Sequence, residues 1–423
     1  MIYADHNATT PLAPEVHEAM ASALGASFGN ASSLHLAGQE ARRLVERARA
    51  QVASLIGAQP DEIVFTSGGT EADNLAVLGA ARALPADQRG VVTSTIEHQA
   101  VLAPCRYLRS LGHEVTFLSV DDQGRLDMGA LAAAARGRGH EHDHGRHHEH
   151  DQDHEHDHGN AHDHGHGKVG LFTVMLANNE TGVIQPVAGV VKEASAGGAL
   201  VHTDAVQAAG KLPIDVAELG VSLLSLSSHK LHGPKGAGAL YVRRGVDLAP
   251  LWHGGRQERG LRPGTENVAA LVGFGQACEL ARTRLGVDAG RLGLLRARFE
   301  SLLRARIPEA RINGGGGSGA GTRGPGHPGD GRLPNTSSVS FAGLDGEAIS
   351  INLDMLGVAV ANGAACSAID HAPSHVLVAM GQSEALARAA VRFSFGRDNT
   401  DADIDRIVEL VAQVVTLLRG ASA

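Results

Sequence analysis

Two apolar runs in this chain end in residues fit for covalent catalysis. Val201-His-Thr-Asp-Ala-Val-Gln207 sets a carboxylate and an amide at the end of one run, and Leu224-Ser-Leu-Ser-Ser-His-Lys230 ends the next in a lysine flanked by Ser and His. Apolar runs that finish in polar residues are what parallel strands look like when their carboxyl ends line a ligand crevice. Such a crevice would gather Asp204, Gln207, His229 and Lys230. A lysine poised for Schiff-base chemistry, beside an acid able to pair with a pyridinium nitrogen, is the protein side of a pyridoxal 5'-phosphate site. A carboxylate ending an apolar strand needs a partner if buried, and a protonated pyridine nitrogen would supply it; the competing reading of Asp204 is a cap of the next helix. Only five lysines occur. Lys168 borders a His-rich tract, Lys192 falls on an amphipathic helix surface, and Lys211 and Lys235 lie in turns beside Gly and Pro. Lys230 alone follows an apolar strand.

Other segments could complete such a site. Phe65-Thr-Ser-Gly-Gly-Thr-Glu71 follows a strand and opens a helix, so its backbone N–H groups and the Thr70 hydroxyl point where a phosphate could bind, and Gly68 and Gly69 permit close approach. An ordinary turn with Thr70 as N-cap reads equally well. His98 follows another strand and could lie over a cofactor ring. Asn178-Asn-Glu-Thr-Gly182 closes a strand with amides, although Asn is also a turn residue. Arg392 interrupts an alternating strand and could clamp a carboxylate; taken alone it reads as a solvent-face arginine. Cys366 sits in a small-residue loop, where a thiol can act as a nucleophile, whereas Cys105 and Cys278 sit in helical patterns as small buried hydrophobes.

The elements that must position these residues alternate. Short β-branched runs at Glu62–Thr66, Val91–Ser94, Val115–Leu118, Val169–Leu176, Ala199–His202 and Leu223–Leu226 are separated by helical patterns such as Glu71–Leu84, Gln99–Leu111 and Val187–Ala196. This predicts an α/β fold with a mostly parallel sheet flanked by helices. Gln39–Ile56 predicts an amphipathic helix on that sheet. After residue 255 the texture changes to a long helix over Val268–Arg306, strands at Ser337–Phe341 and Val391–Phe395, and a last helix from Asp401 to about Leu418. The expected division is an N-terminal segment over 1–15 that packs with the small domain, a large cofactor-binding domain over 16–255, and a smaller α+β C-terminal domain over 256–423. Residues 313–332 form a Gly-rich loop, which follows no strand in the manner of a phosphate loop.

Of the 423 residues, 43% are hydrophobic, enough for a large core. No run reaches the ~20 apolar residues of a membrane span, and the start carries no signal core, so a cytoplasmic protein with reduced thiols is expected. The net charge of -9 is concentrated in one tract, 140–166, which holds -7 of it; the rest is nearly neutral and gives no support to nucleic-acid binding. That tract carries His140, His142, His144, His147, His148, His150, His154, His156, His158, His162, His164 and His166 among acids. It reads as a disordered insertion over 139–167 with loose affinity for zinc, nickel or copper. A metal-binding or storage protein is thus one functional class to weigh, and a transaminase another.

Taken together, Asn7-Ala-Thr-Thr-Pro11, Gly29-Asn-Ala-Ser-Ser33, Thr66-Ser-Gly-Gly-Thr-Glu71, Glu97-His98, Asn178-Asn-Glu-Thr-Gly182, Asp204-Ala-Val-Gln207, Ser228-His-Lys230 and Arg262-Pro-Gly-Thr-Glu-Asn267 resemble the cysteine desulfurases, class V aminotransferase-like pyridoxal phosphate enzymes of fold type I. The resemblance covers nearly the whole chain apart from the His-rich and Gly-rich segments. It implies that Lys230 holds the cofactor as a Schiff base, Asp204 partners the ring nitrogen, Gln207 the phenolic oxygen, and His98 stacks on the ring. Gly69, Thr70, Ser227 and His229 would bind phosphate, and Thr265 would reach the phosphate of the neighbouring subunit in a homodimer. Asn179 and Arg392 would contact L-cysteine, and Cys366 would accept its sulfur as a persulfide for an acceptor such as an iron–sulfur scaffold. Met175-Leu-Ala-Asn-Asn-Glu180, Arg262-Pro-Gly-Thr265 and Gly363-Ala-Ala-Cys366 look closer to selenocysteine lyases, for which L-selenocysteine is the substrate.

Overall fold

The computed structural model describes residues 1–136, 168–314, 331–362 and 372–421. In chain order the strands are β1 (Ile2–Tyr3), β2 (Ile63–Thr66), β3 (Gly90–Ser94), β4 (Val115–Leu118), β5 (Val169–Thr173), β6 (Leu200–Asp204), β7 (Leu223–Ser227), β8 (Gly238–Val242), β9 (Arg311–Asn313), β10 (Thr336–Ser340), β11 (Val358–Ala359), β12 (Ala361–Asn362) and β13 (Ala390–Ser394). The helices are α1 (Pro14–Ala26), α2 (Leu36–Leu55), α3 (Gly69–Ala83), α4 (Gln99–Ser110), α5 (Met128–Ala135), α6 (Val187–Ser195), α7 (Val216–Leu219), α8 (Val268–Arg306), α9 (Gly346–Met355), α10 (His375–Ala379), α11 (Glu384–Arg388) and α12 (Asp401–Ala421).

A seven-stranded sheet in the order β2-β8-β7-β6-β5-β3-β4 carries the site residues. β7, β6, β5, β3 and β4 are mutually parallel, and β8 runs antiparallel to both β7 and β2. β2, β3 and β7 are buried along their whole length, as strands covered on both faces must be. On one face Leu75 of α3 and Val101 and Leu108 of α4 pack on Val91, Leu171 and Leu240. On the other, Val45 and Val52 of α2, Val190 of α6 and Phe274 of α8 pack with Phe172 and Leu226. Each such side chain contributes about 1.5–3 kcal/mol by leaving water. Gly238 lets β8 begin against the loop before α3: a Cβ there would lie 2.6 Å from the Gly68 backbone.

The smaller α+β unit is an antiparallel sheet in the order β12-β13-β10-β9, covered by α9, α12 and the second half of α8. Its core centres on Phe299, whose ring lies 4.7 Å from that of Phe393 and 5.4 Å from that of Phe395. The 39-residue α8 belongs to both cores, through Leu271, Phe274 and Ala277 at one end and Leu292, Leu295 and Phe299 at the other. β1 pairs in parallel with β11, tying the N-terminal segment to the smaller unit.

The structure departs from the sequence expectations at several places. The run expected to be a strand over Val169–Leu176 stops at Thr173, because Met175 and Leu176 turn away to bond Glu97 and Asp204. The Gly-rich segment does follow a strand, β9, whose three residues give too short a pattern to recognise. The N-cap before α3 is Gly68, leaving Thr70 inside the first turn. Lys211 occupies a turn, as expected, but is buried. The expectations for 139–167, for the interior of the Gly-rich segment and for Cys366 lie outside the described residues.

Candidate active site

A cavity of about 240 Å³ opens at the carboxyl ends of the parallel strands. Gly69, Thr70, His98, Asn179, Asp204, Gln207, Ser227, His229 and Lys230 all line it, together with Asp73. Four consecutive sheet neighbours deliver them: β3 leads into His98, β5 into Asn179, β6 into Asp204 and Gln207, and β7 into Ser227, His229 and Lys230. α3 starts at Gly69 and directs its free N–H groups into the same space.

Lys230 Nζ donates to the backbone carbonyls of Asn7 at 2.6 Å and Ala8 at 2.7 Å. Gln207 Nε2 donates to the same Asn7 carbonyl at 2.9 Å. Asn7 is therefore a hub, and its side chain reaches Thr336 at 2.8 Å and the Asn179 carbonyl at 3.2 Å. Asp204 Oδ1 accepts from the Val206 amide at 2.8 Å, a local turn bond that leaves the carboxyl on the cavity wall. Burial raises the Asp204 pKa against the pull of His98 and Lys230. Burial also holds the pKa of neighbouring Asp73 well above the carboxylate range, and the Asp204 charge adds to it. Two buried carboxyls beside one cavity ionise together only if a cation faces them, and a protonated ring nitrogen at Asp204 would be one.

Behind Asp204, buried His202 hydrogen-bonds Thr173 Oγ1 at 2.8 Å and Ser225 Oγ at 2.9 Å. Burial lowers its pKa to about 3, so it stays neutral and fixes the strand end by polar contacts alone. Glu97 accepts from Ser94 Oγ at 2.6 Å and the Met175 amide at 2.9 Å, and burial raises its pKa to about 8. His98 caps α4, its Nδ1 accepting from the Ala100 amide at 3.1 Å. His229 has a pKa lowered to about 4 by burial, with Lys230 and Lys235 adding to the shift.

Arg392 is not the solvent-face residue that its strand pattern suggests in isolation. It is 4% exposed, and its Nη2 pairs with Asp5 at 2.8 Å while Nη1 donates to the Asn179 carbonyl at 3.0 Å. Its Nε is buried without a partner. Asn178 carries the turn geometry, accepting from the Glu180 and Thr181 amides, which leaves Asn179 to face the cavity. Thr265 is exposed and does not line the cavity of its own chain. It adjoins a separate cleft of about 930 Å³ lined by Arg42, Arg49, Arg256, Glu258 and Glu266, which contains none of the strand-end residues. Among the described residues no group of three metal-ligating side chains occurs, and no helix is long and apolar enough to cross a membrane.

The residues fit pyridoxal phosphate. Ser227 Oγ is buried without a hydrogen-bond partner at the cavity, beside the free N–H groups of α3, which is a donor set for phosphate. Gly69 has no room for a side chain, since a Cβ would lie 2.8 Å from Val206. Asp5 and Asp73 have no place in the sequence-based site, Asn7 and Glu97 enter it only as members of motifs, and Lys211 reads there as a turn residue. Asp73 carries a signal of its own, an acid on the otherwise apolar side of α3 four residues after Gly69.

A model of the aminotransferase class-V family matches residues 2–138 and 146–407. A cysteine desulfurase of Cereibacter sphaeroides is 46% identical over 423 residues, covering 100% of this chain and 97% of the relative. A NifS-like protein of known structure has a TM-score of 0.82 at 34% identity, covering 99% of this chain and 100% of its own. A structure described as SspA in complex with cysteine has a TM-score of 0.71 at 32% identity, covering 93% of this chain and 99% of its own.

Proposed function

The chain belongs to the aminotransferase class-V family, among its cysteine desulfurases, and from that premise we propose that its strand-end cavity binds pyridoxal 5'-phosphate and converts L-cysteine to L-alanine, passing the sulfur to Cys366. The observation that carries this reading is the meeting of Lys230, Asp204, Gln207 and the N-terminus of α3 in one cavity of about 240 Å³. The fold is the type I fold of such enzymes, shared with the NifS-like proteins.

Pyridoxal phosphate, when bound, supplies the electron sink that makes the Cα–H of an amino acid removable. Lys230 would hold it covalently and then, displaced by substrate, move the Cα proton at Nζ. Asp204 would face the ring nitrogen and keep its proton in place, Gln207 Nε2 would donate to the phenolic oxygen, and His98 would stack on the ring. Gly69, Thr70, Ser227 and His229 would take the phosphate. Arg392 and Asn179 would orient the substrate carboxylate. The Cys366 thiolate attacks the substrate sulfur; the C–S bond breaks with its electron pair going to carbon, which takes up a proton and leaves as alanine, while Cys366 keeps the sulfur as a persulfide.

The persulfide would serve an acceptor protein of the iron–sulfur scaffold kind in the cytoplasm, and the two buried free thiols Cys105 and Cys278 accord with a reducing compartment. A homodimer, with Thr265 serving the partner's phosphate, is supported by the exposed apolar side chains Phe28, Leu34 and Leu36, which flank the cleft residues Ala31 and Ser32 along the chain. The test loads full-length protein with cofactor, offers L-cysteine and L-selenocysteine in parallel, and measures alanine, sulfide and selenide. Wild type should release alanine and Lys230→Ala should lose about a thousandfold or more. Full alanine release by Lys230→Ala would refute the assignment.

A further inference from the structure

We propose that Lys211 is a positioning residue of this site: its ammonium holds the Gln207 side-chain amide with Nε2 turned towards the cofactor, and its charge disfavours a second cation at the Lys230 nitrogen. The proposal rests on the cofactor reading above and adds to it a residue in no direct contact with the cavity.

Lys211 Nζ donates to the Gln207 backbone carbonyl at 2.9 Å and to Gln207 Oε1 at 3.2 Å. An ammonium has only donors, so the amide must present its oxygen to Lys211 and its nitrogen to the opposite side. There Nε2 donates to the Asn7 carbonyl at 2.9 Å, the same oxygen that accepts from Lys230 Nζ at 2.6 Å. Lys211, Gln207, the Asn7 carbonyl and Lys230 thus form one run of hydrogen bonds. A side-chain amide without such a neighbour can turn over and offer oxygen where the phenolic oxygen of the cofactor needs a donor.

The electrostatic half follows from what surrounds the ammonium. Lys211 is 8% exposed and, among the described residues, has no carboxylate partner. Burial lowers its pKa to about 7, and the nearby charges of Lys230 and Arg392 push in the same direction. His6 and His232 also face it, but burial lowers their pKa values to about 3 and about 4, so they stay neutral and add no further cation. Asp204 faces Lys230 from β6 and is not bonded to Lys211. Two close cations in a desolvated pocket repel strongly, and the lysine nitrogen that joins the cofactor is the one that must titrate for chemistry. A lysine that only tied its turn together would need the bond to the Gln207 backbone and nothing more.

The experiment is a pH titration of visible absorbance on full-length protein loaded with pyridoxal 5'-phosphate, for wild type, Lys230→Ala, Lys211→Met and Lys211→Arg. Wild type should show a titrating band that Lys230→Ala lacks; a band that persists in Lys230→Ala would overturn the cofactor reading itself, independently of Lys211. Given that band, Lys211→Met should raise its midpoint by about one pH unit, because loss of a neighbouring cation and loss of a held donor both favour the protonated form. Lys211→Arg should keep the midpoint near that of wild type. An unchanged midpoint in Lys211→Met, or an equal rise in Lys211→Arg, would overturn the proposal. If Lys211→Met does not give folded protein by circular dichroism, Lys211→Gln, which keeps a donor without the charge, is titrated in its place with the same expected rise and the same contrary outcome.

Discussion

Arg392 already spends its guanidinium on Asp5 and the Asn179 carbonyl, with only Nε unpartnered. An incoming carboxylate must join or replace Asp5 on a buried cation. Arg392→Lys, with a single point of attachment, is expected to raise KM for L-cysteine about tenfold to a hundredfold while the cofactor absorbance stays intact; a KM unchanged in steady-state assays would remove Arg392 from substrate binding. Glu97 makes a second residue-scale prediction through pH. Its folded pKa of about 8 lies above its usual 4.5, so the folded chain keeps a proton that the unfolded chain gives up, and stability falls as pH rises from about 4.5 towards 8. Glu97→Gln can still accept from the Met175 amide and cannot ionise. Thermal melts at pH 6 and pH 8 should show a smaller loss of Tm in Glu97→Gln than in wild type, and equal losses would show that Glu97 does not titrate. At this scale the sequence displayed Lys230, Asp204 and Gln207 because each ends an apolar strand. It hid Lys211 and Asp5 because a turn lysine and an N-terminal aspartate are solvated unless distant chain covers them. Here Arg392 of β13 draws in Asp5, and Lys211 is held on Gln207, whose amide reaches across to the Asn7 carbonyl.

The alternation of apolar strands and amphipathic helices is a local pattern, which is why most of the parallel sheet was readable residue by residue. β8 was not: Gly238–Val242 was not among the expected strands, and its antiparallel course is set by pairing with both β2 and β7. The shortness of α10 is also a tertiary effect. Five residues do not make a stable helix alone. It forms because Ser374 caps it, accepting from the Leu377 amide, and donates to buried Glu180, while His375 bonds the Glu97 carbonyl at 3.0 Å. Burial raises the Glu180 pKa to about 7 and the Ser374 hydroxyl opposes that shift. Ser374→Ala removes a cap and a partner of a buried carboxyl together, so chemical denaturation should show a loss of about 1–3 kcal/mol. A change within the error of the midpoint would mean that α10 is held by Val376 and Leu377 packing alone.

For the whole molecule, the proposed homodimer would divide each site between two copies. Thr265 is exposed, outside its own cavity, on a segment that Glu258 pins to β2 through Arg49 at 2.7 Å and the Phe65 amide at 2.8 Å. Glu258 and Arg259 sit at φ values of 46° and 59°, uncommon for side-chain-bearing residues, so this presentation is held against backbone strain. A segment fixed so firmly yet facing outward fits a role in a second subunit. Net charge and composition could not reveal that, because they describe one chain. If Thr265 serves the partner's phosphate, Thr265→Glu should repel it and inactivate the homodimer, as Lys230→Ala does by another route. Mixed dimers of the two would then contain one cavity with both defects and one with neither. Equal amounts, unfolded together and refolded, should recover about a quarter of wild-type alanine release, since half the dimers are mixed and half their sites intact. Recovery no greater than that of the two parents measured separately would place Thr265 in the service of its own chain.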